Sequence, residues 1–453
     1  MKFLHLADVH LGCRRYNVDE RTKDFFRAWH DIIVRHALPE KVDFVLIAGD
    51  FFDRRNLDPL AMNHAMEGLR LLRDAKIPVL AIEGNHDQHE AVSEYSWLRS
   101  LSTWGLLNLL EPVRDREGKL ALVPWDEAKR GGSYIDVAGA RIFGSDWYGA
   151  SSNQAIPMLA EALRQTRSDD RFNILMLHTD VEGQLERSNI PALELAVLAT
   201  LKGLVDYVAL GHTHRRFALD NWAFNPGSLE AAAIDEYRHE RGAYLVKVDA
   251  DHRIKATLIR EYAQRPFQRL AFDVSGAVNA AAVYEGVMEM IGREARVRIS
   301  DEPDLHLSPV IEITLTGQLG FKNSLLELNK IRDEARRRTG ALHILLRNQS
   351  VPVEYAVPGA DMDAPRHVRE QHIVEELIFR NHQYRGRAEK MAELVIESKR
   401  LALAREPADK VLELIRTMTS KTAPDDAEIP PETAPAMTTE ARSAIERNAQ
   451  RGE

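Results

Sequence analysis

Residues 42–50 read VDFVLIAGD, a nearly unbroken apolar run that halts at Gly49-Asp50. A strand with one wet face alternates apolar and polar residues, whereas a run this continuous belongs inside a parallel sheet covered on both faces. The same design lies on either side of it. KFLHLA at 2–7 stops at Asp8, and IPVLAIEGNHD at 77–87 passes from an apolar strand through a glycine into polar residues. The apolar spacing of Arg21 to His36, and of residues 60–75, predicts a helix in each gap. Strand, helix, strand, helix, strand with short links argues for an α/β sheet. Three more apolar strands carry polar clusters: RIFGSDWYG at 141–149, NILMLHTD at 173–180 and VDYVALGHTH at 205–214. WAFNPGS at 222–228 and RGAYLVKVD at 241–249 read as antiparallel strands completing a sheet. The expected fold class is α/β, a two-sheet sandwich flanked by helices over residues 1–265.

Beyond residue 265 the pattern changes. Residues 266–361 hold strand-like PVIEITLTG, helix-like SLLELNKIRDEARRRTG and strand-like ALHILLRN, a smaller α+β domain that closes at Pro352 and PGADMDAP. Residues 362–420 are helical in pattern, with Ile373, Val374 and Leu377 on one apolar face and Met391, Leu394 and Val395 on another. Residues 421–453 are rich in Pro, Ala, Thr and Glu, a composition expected to remain disordered. The formal net charge of -9 neither argues for nucleic acid nor excludes it, since local basic patches and bound cations can hold a phosphate backbone. The single cysteine, Cys13, excludes an intrachain disulfide and a cysteine-based zinc knuckle. No run of eighteen apolar residues is present, so no membrane span is expected. MKFLHLADVHLG reads as a first strand and not as an export signal, and the expected compartment is the cytoplasm.

Five polar clusters each follow or close an apolar strand: Asp8-Val9-His10, Gly49-Asp50, Gly84-Asn85-His86-Asp87, His178, and Gly211-His212-Thr213-His214. Residues two apart on an extended strand point to one side, which would pair Asp8 with His10 and His212 with His214. Carboxylate oxygens and imidazole nitrogens together suit Mn, Fe or Zn, and the absence of thiolates removes the softer metals. Glycines before Asp50, Asn85 and His212 allow sharp bends and close approach. Taken singly, GD and GNHD also suit ordinary turns, and His178 an ordinary strand-end histidine. Five such clusters in one order point to a metal site.

That order, DxH, GD, GNHD, a lone histidine and GHTH, resembles the signature of the calcineurin-like metallophosphoesterase superfamily. LHLADVHLG, AGDFFDRRN, IPVLAIEGNHD, YVALGHTHRR, NPGSLEAAAIDEY and RGAYLVKVD further resemble the SbcD/Mre11-type nuclease subunits of DNA double-strand-break repair. The resemblance implies a nuclease domain at 1–265, a capping domain at 266–361 and an ATPase-binding helical region at 362–420. It implies two divalent ions, manganese by family expectation. One would be held by Asp8, His10, Asp50 and His214, the other by Asp50, Asn85, His178 and His212, with Asp50 bridging. A hydroxide between the ions would attack phosphorus in line, and His86 would stabilise the transition state or protonate the leaving oxygen. Asp87 would orient His86 or serve as a structural turn. Where some relatives place a phosphate-holding histidine three residues after the bridging aspartate, this chain has Asp53. Arg54, Arg55, Arg215 and Arg216 are candidates to face a phosphate backbone. Asn225-Pro226-Gly227-Ser228 would form a wall of the site or a plain turn.

The chain lacks a GxxxxGK[ST] phosphate loop, so ATP hydrolysis by that device would need a partner. The resemblance supplies one, a separate SbcC/Rad50-type coiled-coil ATPase bound by the C-terminal helices. It also implies a homodimer, with Met62, Met66, Leu69, Trp97, Leu98 and Leu101 as candidate contacts. The expected function is a metal-dependent DNA exonuclease and endonuclease. The alternative is the same chemistry on small phosphoesters such as cyclic nucleotides or phosphomonoesters. A non-enzymatic scaffold would not need the intact donor set with His86.

Overall fold

The strand Phe44–Ala48 is buried at every position, and its alternate residues serve two different cores. Val45 and Ile47 join Leu4, Leu6, Val79 and Ala81 against Trp29, Ile32, Leu69 and Leu72 of the helices Asp19–Ile32 and Pro59–Asp74. Phe44 and Leu46 point the other way, with Phe3, Leu80 and Ile82, into a seam shared with Ile174, Met176, Tyr207 and Ala209. Both faces are dry, which is why the sequence shows no alternation. Each buried Phe, Leu or Ile of this kind contributes about 1.5–3 kcal/mol.

This computed structural model describes residues 1–88, 95–114, 119–184, 191–295, 307–351, 366–379, 384–404 and 406–420. It divides into one unit of Met1–Pro352 and another of Val353–Glu453. In the first unit, one six-stranded sheet runs in the order Ile254–Ile259, Ala243–Val248, Lys2–Leu6, Phe44–Ala48, Val79–Ile82, Asn108–Leu109. A second runs Phe217–Leu219, Ala223–Asn225, Tyr207–Gly211, Phe172–His178, Ala140–Phe143, Tyr134–Val137. The seam between them makes the α/β two-sheet sandwich, and helices such as Ser152–Thr166 cover the outer faces. Lys2–Leu6, Phe44–Ala48 and Val79–Ile82 run parallel in the first sheet, and Tyr207–Gly211 and Phe172–His178 in the second, with Leu6 opposite Ile47, Ala48 opposite Ile82 and Gly211 opposite His178. Their carboxyl ends therefore align, the position where such sheets hold ligands.

Three expectations are corrected. The strands in WAFNPGS and RGAYLVKVD do not complete one sheet. Ala223–Asn225 runs parallel to Tyr207–Gly211 in the second sheet, and Ala243–Val248 pairs antiparallel with Lys2–Leu6 in the first. The chain between them thus crosses from one sheet to the other at the strand ends. The first helix ends at Ile32 and is prolonged by a π turn, Ile33–Ala37. Leu69, Leu98 and Leu101 are fully buried in the helix-side core and cannot serve as dimer contacts, whereas Met62 and Met66 are only partly buried and Trp97 is 39% exposed.

After Arg265 a three-stranded parallel sheet forms, Phe267–Asp273, Val310–Thr316 and His343–Asn348, packed on the helices Ala280–Glu294 and Leu328–Thr339. Arg265 anchors it, donating to both oxygens of the buried Asp24 and to the carbonyl of Ser308. The second unit contains the helices Arg366–Phe379, Ala388–Leu403 and Ala408–Ser420, with Ile373, Leu377, Phe379, Val395, Leu403 and Leu412 exposed. The tail expected to be disordered, 421–453, lies outside the described residues. Among those described, no helix is long and apolar enough to cross a membrane.

His5 is buried in the seam, its Nε2 donating to the Leu210 carbonyl at 3.1 Å and its Nδ1 accepting from the Tyr207 hydroxyl at 2.9 Å. Burial lowers its pKa from the ordinary 6.5 to about 3. Between those values the unfolded chain binds a proton and the folded chain does not, so stability falls as pH drops from about 6.5 toward 3. The expected slope is about 1.4 kcal/mol per pH unit. Denaturant unfolding in chelator at pH 7.0 and 5.5 tests this with His5→Phe. The stability gap between wild type and variant should shrink by about 1 kcal/mol at the lower pH; a constant gap would refute the assignment.

Candidate metal centre

Asp8 and His10 come together by a route the sequence pattern did not reveal. The strand ends at Leu6, and both residues take left-handed backbone, φ 52° and 49°, so their shared direction comes from turns and not from strand alternation. Asp50 and His212 are left-handed too, at φ 50° and 86°. Such conformations cost non-glycine residues about 1–3 kcal/mol each and persist only where the surroundings impose them. Here the loop after Leu6 is zipped onto the loop after Ala48: Asp8 N–H donates to Gly49 O at 3.1 Å, His10 N–H to Asp50 O at 3.0 Å and Leu11 N–H to Phe51 O at 2.9 Å. A β-carbon on Gly49, itself at φ +86°, would run into the His178 ring, so this approach requires glycine.

The side chains form two connected sets. In one, His214 Nε2 lies 3.8 Å from Asp8 Oδ1 and 3.0 Å from His10 Nε2, which is 3.8 Å from Asp50 Oδ2. In the other, His178 Nε2 lies 3.3 Å from Asp50 Oδ2, 3.3 Å from Asn85 Oδ1 and 3.3 Å from His212 Nδ1. The sets meet at a single atom, Asp50 Oδ2. The other oxygen, Oδ1, accepts the His86 N–H at 2.9 Å. Three-residue groups with donor atoms mutually within 4.8 Å are Asp8, His10, His214; His10, Asp50, His86; and Asp50, His178, His212. Separations of 3.0–3.8 Å suit neighbouring ligands around ions bound at about 2.0–2.2 Å.

The charge balance points the same way. Asp8 and Asp50 are almost wholly buried, and their ion-pair partners are histidines. Burial pushes the Asp8 carboxyl up to about 6. Burial also opposes ionisation of Asp50, but His178, with His10 and His86, outweighs it and holds that carboxyl well below the ordinary range. His178 moves in reciprocal fashion: burial would lower it, Asp50 prevails, and its pKa rises to about 9. The pocket attracts positive charge, and its oxygen and nitrogen donors fit divalent cations of the borderline class.

Outer contacts fix which nitrogen of each ring faces inward. A carbonyl only accepts, so His178 Nδ1 donates to Ala48 O at 2.8 Å and leaves Nε2 facing Asp50. His214 Nδ1 pairs with Glu236 Oε1 at 2.9 Å and leaves Nε2 inward. His212 Nε2 lies 3.5 Å from Asp180 Oδ2, leaving Nδ1 inward, and Asp180 Oδ1 accepts from Thr213 Oγ1 at 2.7 Å. Sequence reasoning gave Glu236 and Asp180 no role. Both lay within quoted segments, NPGSLEAAAIDEY and NILMLHTD, but no spacing rule ties them to a histidine.

His86 stands beside the donors, its ring 4.9 Å from that of His10 and its Nδ1 donating to Asp53 O at 2.6 Å. Asp87 is buried and bonded to backbone. Its carboxylate accepts from the N–H groups of Phe51, Phe52 and Gly84, at 3.1, 2.9 and 3.0 Å, and clamps the GNHD turn to the GDFF loop. Asp53 Oδ1 lies 3.7 Å from His10 Nδ1 and its Oδ2 is 3.4 Å from Arg54 Nε. Arg55, exposed, reaches Asn85 O at 3.5 Å and Gln88 Oε1 at 3.3 Å. Arg215 is exposed, whereas Arg216 is pinned to Tyr244, its Nε 2.7 Å from the hydroxyl. Asn225 Nδ2 donates to Thr213 O at 2.8 Å, so the NPGS loop supports the GHTH turn from below.

Residues 1–216 match the family model described as calcineurin-like phosphoesterase. The chain is 28% identical over 355 residues to a protein of Aeropyrum pernix named "DNA double-strand break repair protein Mre11", covering 76% of this chain and 79% of that one. Proteins of the same name from Sulfolobus acidocaldarius and Archaeoglobus fulgidus are 30% and 34% identical over 259 and 257 residues. Those matches cover 55% and 53% of this chain, which spans 61% and 54% of the two relatives' length. The matched residues carry all seven donors, and over them the chain is similar to the calcineurin-like phosphoesterases and to the proteins named Mre11.

Proposed function

We propose that the chain is a metal-dependent phosphodiesterase acting as a DNA nuclease subunit in double-strand-break repair. The observation that carries this reading is the meeting of two oxygen and nitrogen donor sets at Asp50 Oδ2, at the carboxyl ends of the parallel strands. We assign Asp8, His10, Asp50 and His214 to one divalent ion and Asp50, Asn85, His178 and His212 to the other, with manganese as the metal. Such ions would supply Lewis acidity and water of lowered pKa. The protein's own groups orient and move protons. Ala48 O, Asp180 and Glu236 hold three imidazoles with one nitrogen inward. Because Asp53 O fixes His86 Nδ1 as a donor, Nε2 is the nitrogen that holds or gives a proton at a departing oxygen. Asp87 holds the loop that presents His86. We assign Arg54, Arg55 and Arg215 to the phosphates of the bound strand, with Asp53 bordering His10 and His86.

DNA as substrate draws its support from the similarity to proteins named for double-strand-break repair. The reading carries a cytoplasmic location, a capping role for residues 266–361 and a homodimer through the Met62, Met66 and Trp97 face. We assign the helices of 362–420 to an SbcC/Rad50-type ATPase, supported by their exposed apolar side chains Ile373, Leu377 and Phe379.

Three measurements test this reading. With Mn²⁺, the protein should shorten end-labelled linear duplex DNA and hydrolyse bis-p-nitrophenyl phosphate. His86→Ala should lower both rates by about 100-fold or more while Mn²⁺ still binds. Cleavage of the small diester alone, even with the ATPase added, would favour a small-molecule phosphoesterase. Second, Mn²⁺ at a hundred times its Kd should stabilise the chelator-treated protein by about 2.7 kcal/mol, and Asp50→Asn should remove that gain. Equal stabilisation of both proteins would sink the bridging role. Third, Ile373→Glu with Leu377→Glu should abolish co-elution with the ATPase and leave diester hydrolysis unchanged; retained co-elution would place the partner elsewhere.

A further inference from the structure

The chain crossing between the two sheets carries a short 3-10 turn, Ile234–Glu236, and each of its three residues has a long-range partner of its own. Glu236 Oε1 meets His214 Nδ1 at 2.9 Å, while its Oε2 accepts the Ala232 N–H at 2.9 Å and its carbonyl accepts from Arg241. The carboxylate is thus held on both oxygens and aimed at one histidine. Asp235 turns to the three-stranded sheet, where Arg269 pairs with it and Arg347 Nη2 lies 3.9 Å away. Both arginines are themselves gripped by the buried Glu312 of the central strand, at 2.7 and 2.6 Å. Ile234 N–H donates to the Tyr16 hydroxyl at 2.6 Å, and the Tyr16 ring stacks on His343 of the same sheet at 5.2 Å and 12°.

A histidine whose outer nitrogen is held by a carboxylate keeps one tautomer and one orientation, and losing such a partner typically weakens metal binding ten- to a hundredfold. A turn of three residues has little freedom to move one side chain without the others. We propose that Glu236 is the positioning residue for His214, and that the Arg269–Glu312–Arg347 cluster, acting through Asp235, couples the three-stranded sheet to the donor set that contains His214. The proposal rests on the two-metal reading above. On this view, a shift of the small sheet against the sandwich alters the affinity of one metal position and leaves the other, built on Asn85, His178 and His212, unaffected.

The test is calorimetric titration of chelator-treated protein with MnCl₂, beside thermal unfolding of the metal-free forms. Wild type should bind two ions. Glu236→Ala should weaken one of them about ten- to a hundredfold and leave the other within about twofold. Glu236→Gln, whose amide oxygen can still accept from His214, should recover most of that loss. Asp235→Ala, which removes no contact to His214, should weaken the same position by up to about tenfold, the lower end of second-layer effects. Two unchanged affinities in Glu236→Ala would overturn the positioning role. Equal loss at both positions, unrescued by Glu236→Gln and accompanied by a lowered metal-free Tm, would overturn it in favour of general damage. An unchanged Asp235→Ala would overturn the coupling to the small sheet. Failure of wild type to bind Mn²⁺ would instead sink the two-metal reading itself.

Discussion

Asp8 and Asp50 sit almost wholly out of water, and an isolated carboxylate so buried costs several kcal/mol unless charge and hydrogen bonds answer it. The His212 N–H donates to both Asp8 oxygens, at 3.1 and 3.0 Å, and the His86 N–H donates to Asp50. Of the histidines beside them, His178 has its pKa raised, against its burial, to about 9 by Asp50, whereas burial lowers that of His10 to about 4. Apart from the close pairs Asp8 with His10 and His212 with His214, those groups are far apart in sequence. They converge because parallel strands of two sheets end together, and the sheets are fixed by the seam of Phe3, Phe44, Phe172 and Tyr207. The protein supplies donors enough for a cation and leaves the last of the charge balance to it.

The left-handed backbone at Asp8, His10, Asp50 and His212 concentrates strain at the same place. At about 1–3 kcal/mol each, that strain is comparable to the contribution of a few buried seam residues, at about 1.5–3 kcal/mol each. The sandwich can therefore hold the loops in conformations that short peptides of the same sequence would not keep. Asp87 has its part here, joining the Asp50 and Asn85 loops through three backbone N–H groups.

Around the donors lies a layer of acceptors that sets ring orientation: Ala48 O, Asp180, Glu236 and, for His86, Asp53 O. This layer links the chemistry to the rest of the chain. Glu236 belongs to a turn gripped by the three-stranded sheet, and that sheet is bound to the sandwich again by the buried Arg265–Asp24 pair. Such a pair is weak evidence for stability, because desolvation opposes its attraction, but its bidentate geometry restricts how the two parts can meet.

The strand runs around Leu4, Leu46 and Leu80 were legible because covering both faces removes polar residues from a strand, a local signature. The order and spacing of the seven donors were legible for a similar reason, since each closes such a strand. The pairing of Asp8 with His10 was read correctly from the wrong geometry, because turn conformation is not encoded in spacing. The assignment of Ala223–Asn225 and Ala243–Val248 to one sheet failed because the chain between them crosses from one sheet to the other, which neither strand's own residues reveal. By itself, then, the sequence determined the two-faced strands and the donor order, both properties of near neighbours along the chain. Only the tertiary structure decided that Glu236, 22 residues from His214, meets its ring, and which nitrogen of each histidine faces inward. Ring orientation depends on acceptors delivered by distant segments, and no local pattern specifies where those segments will lie.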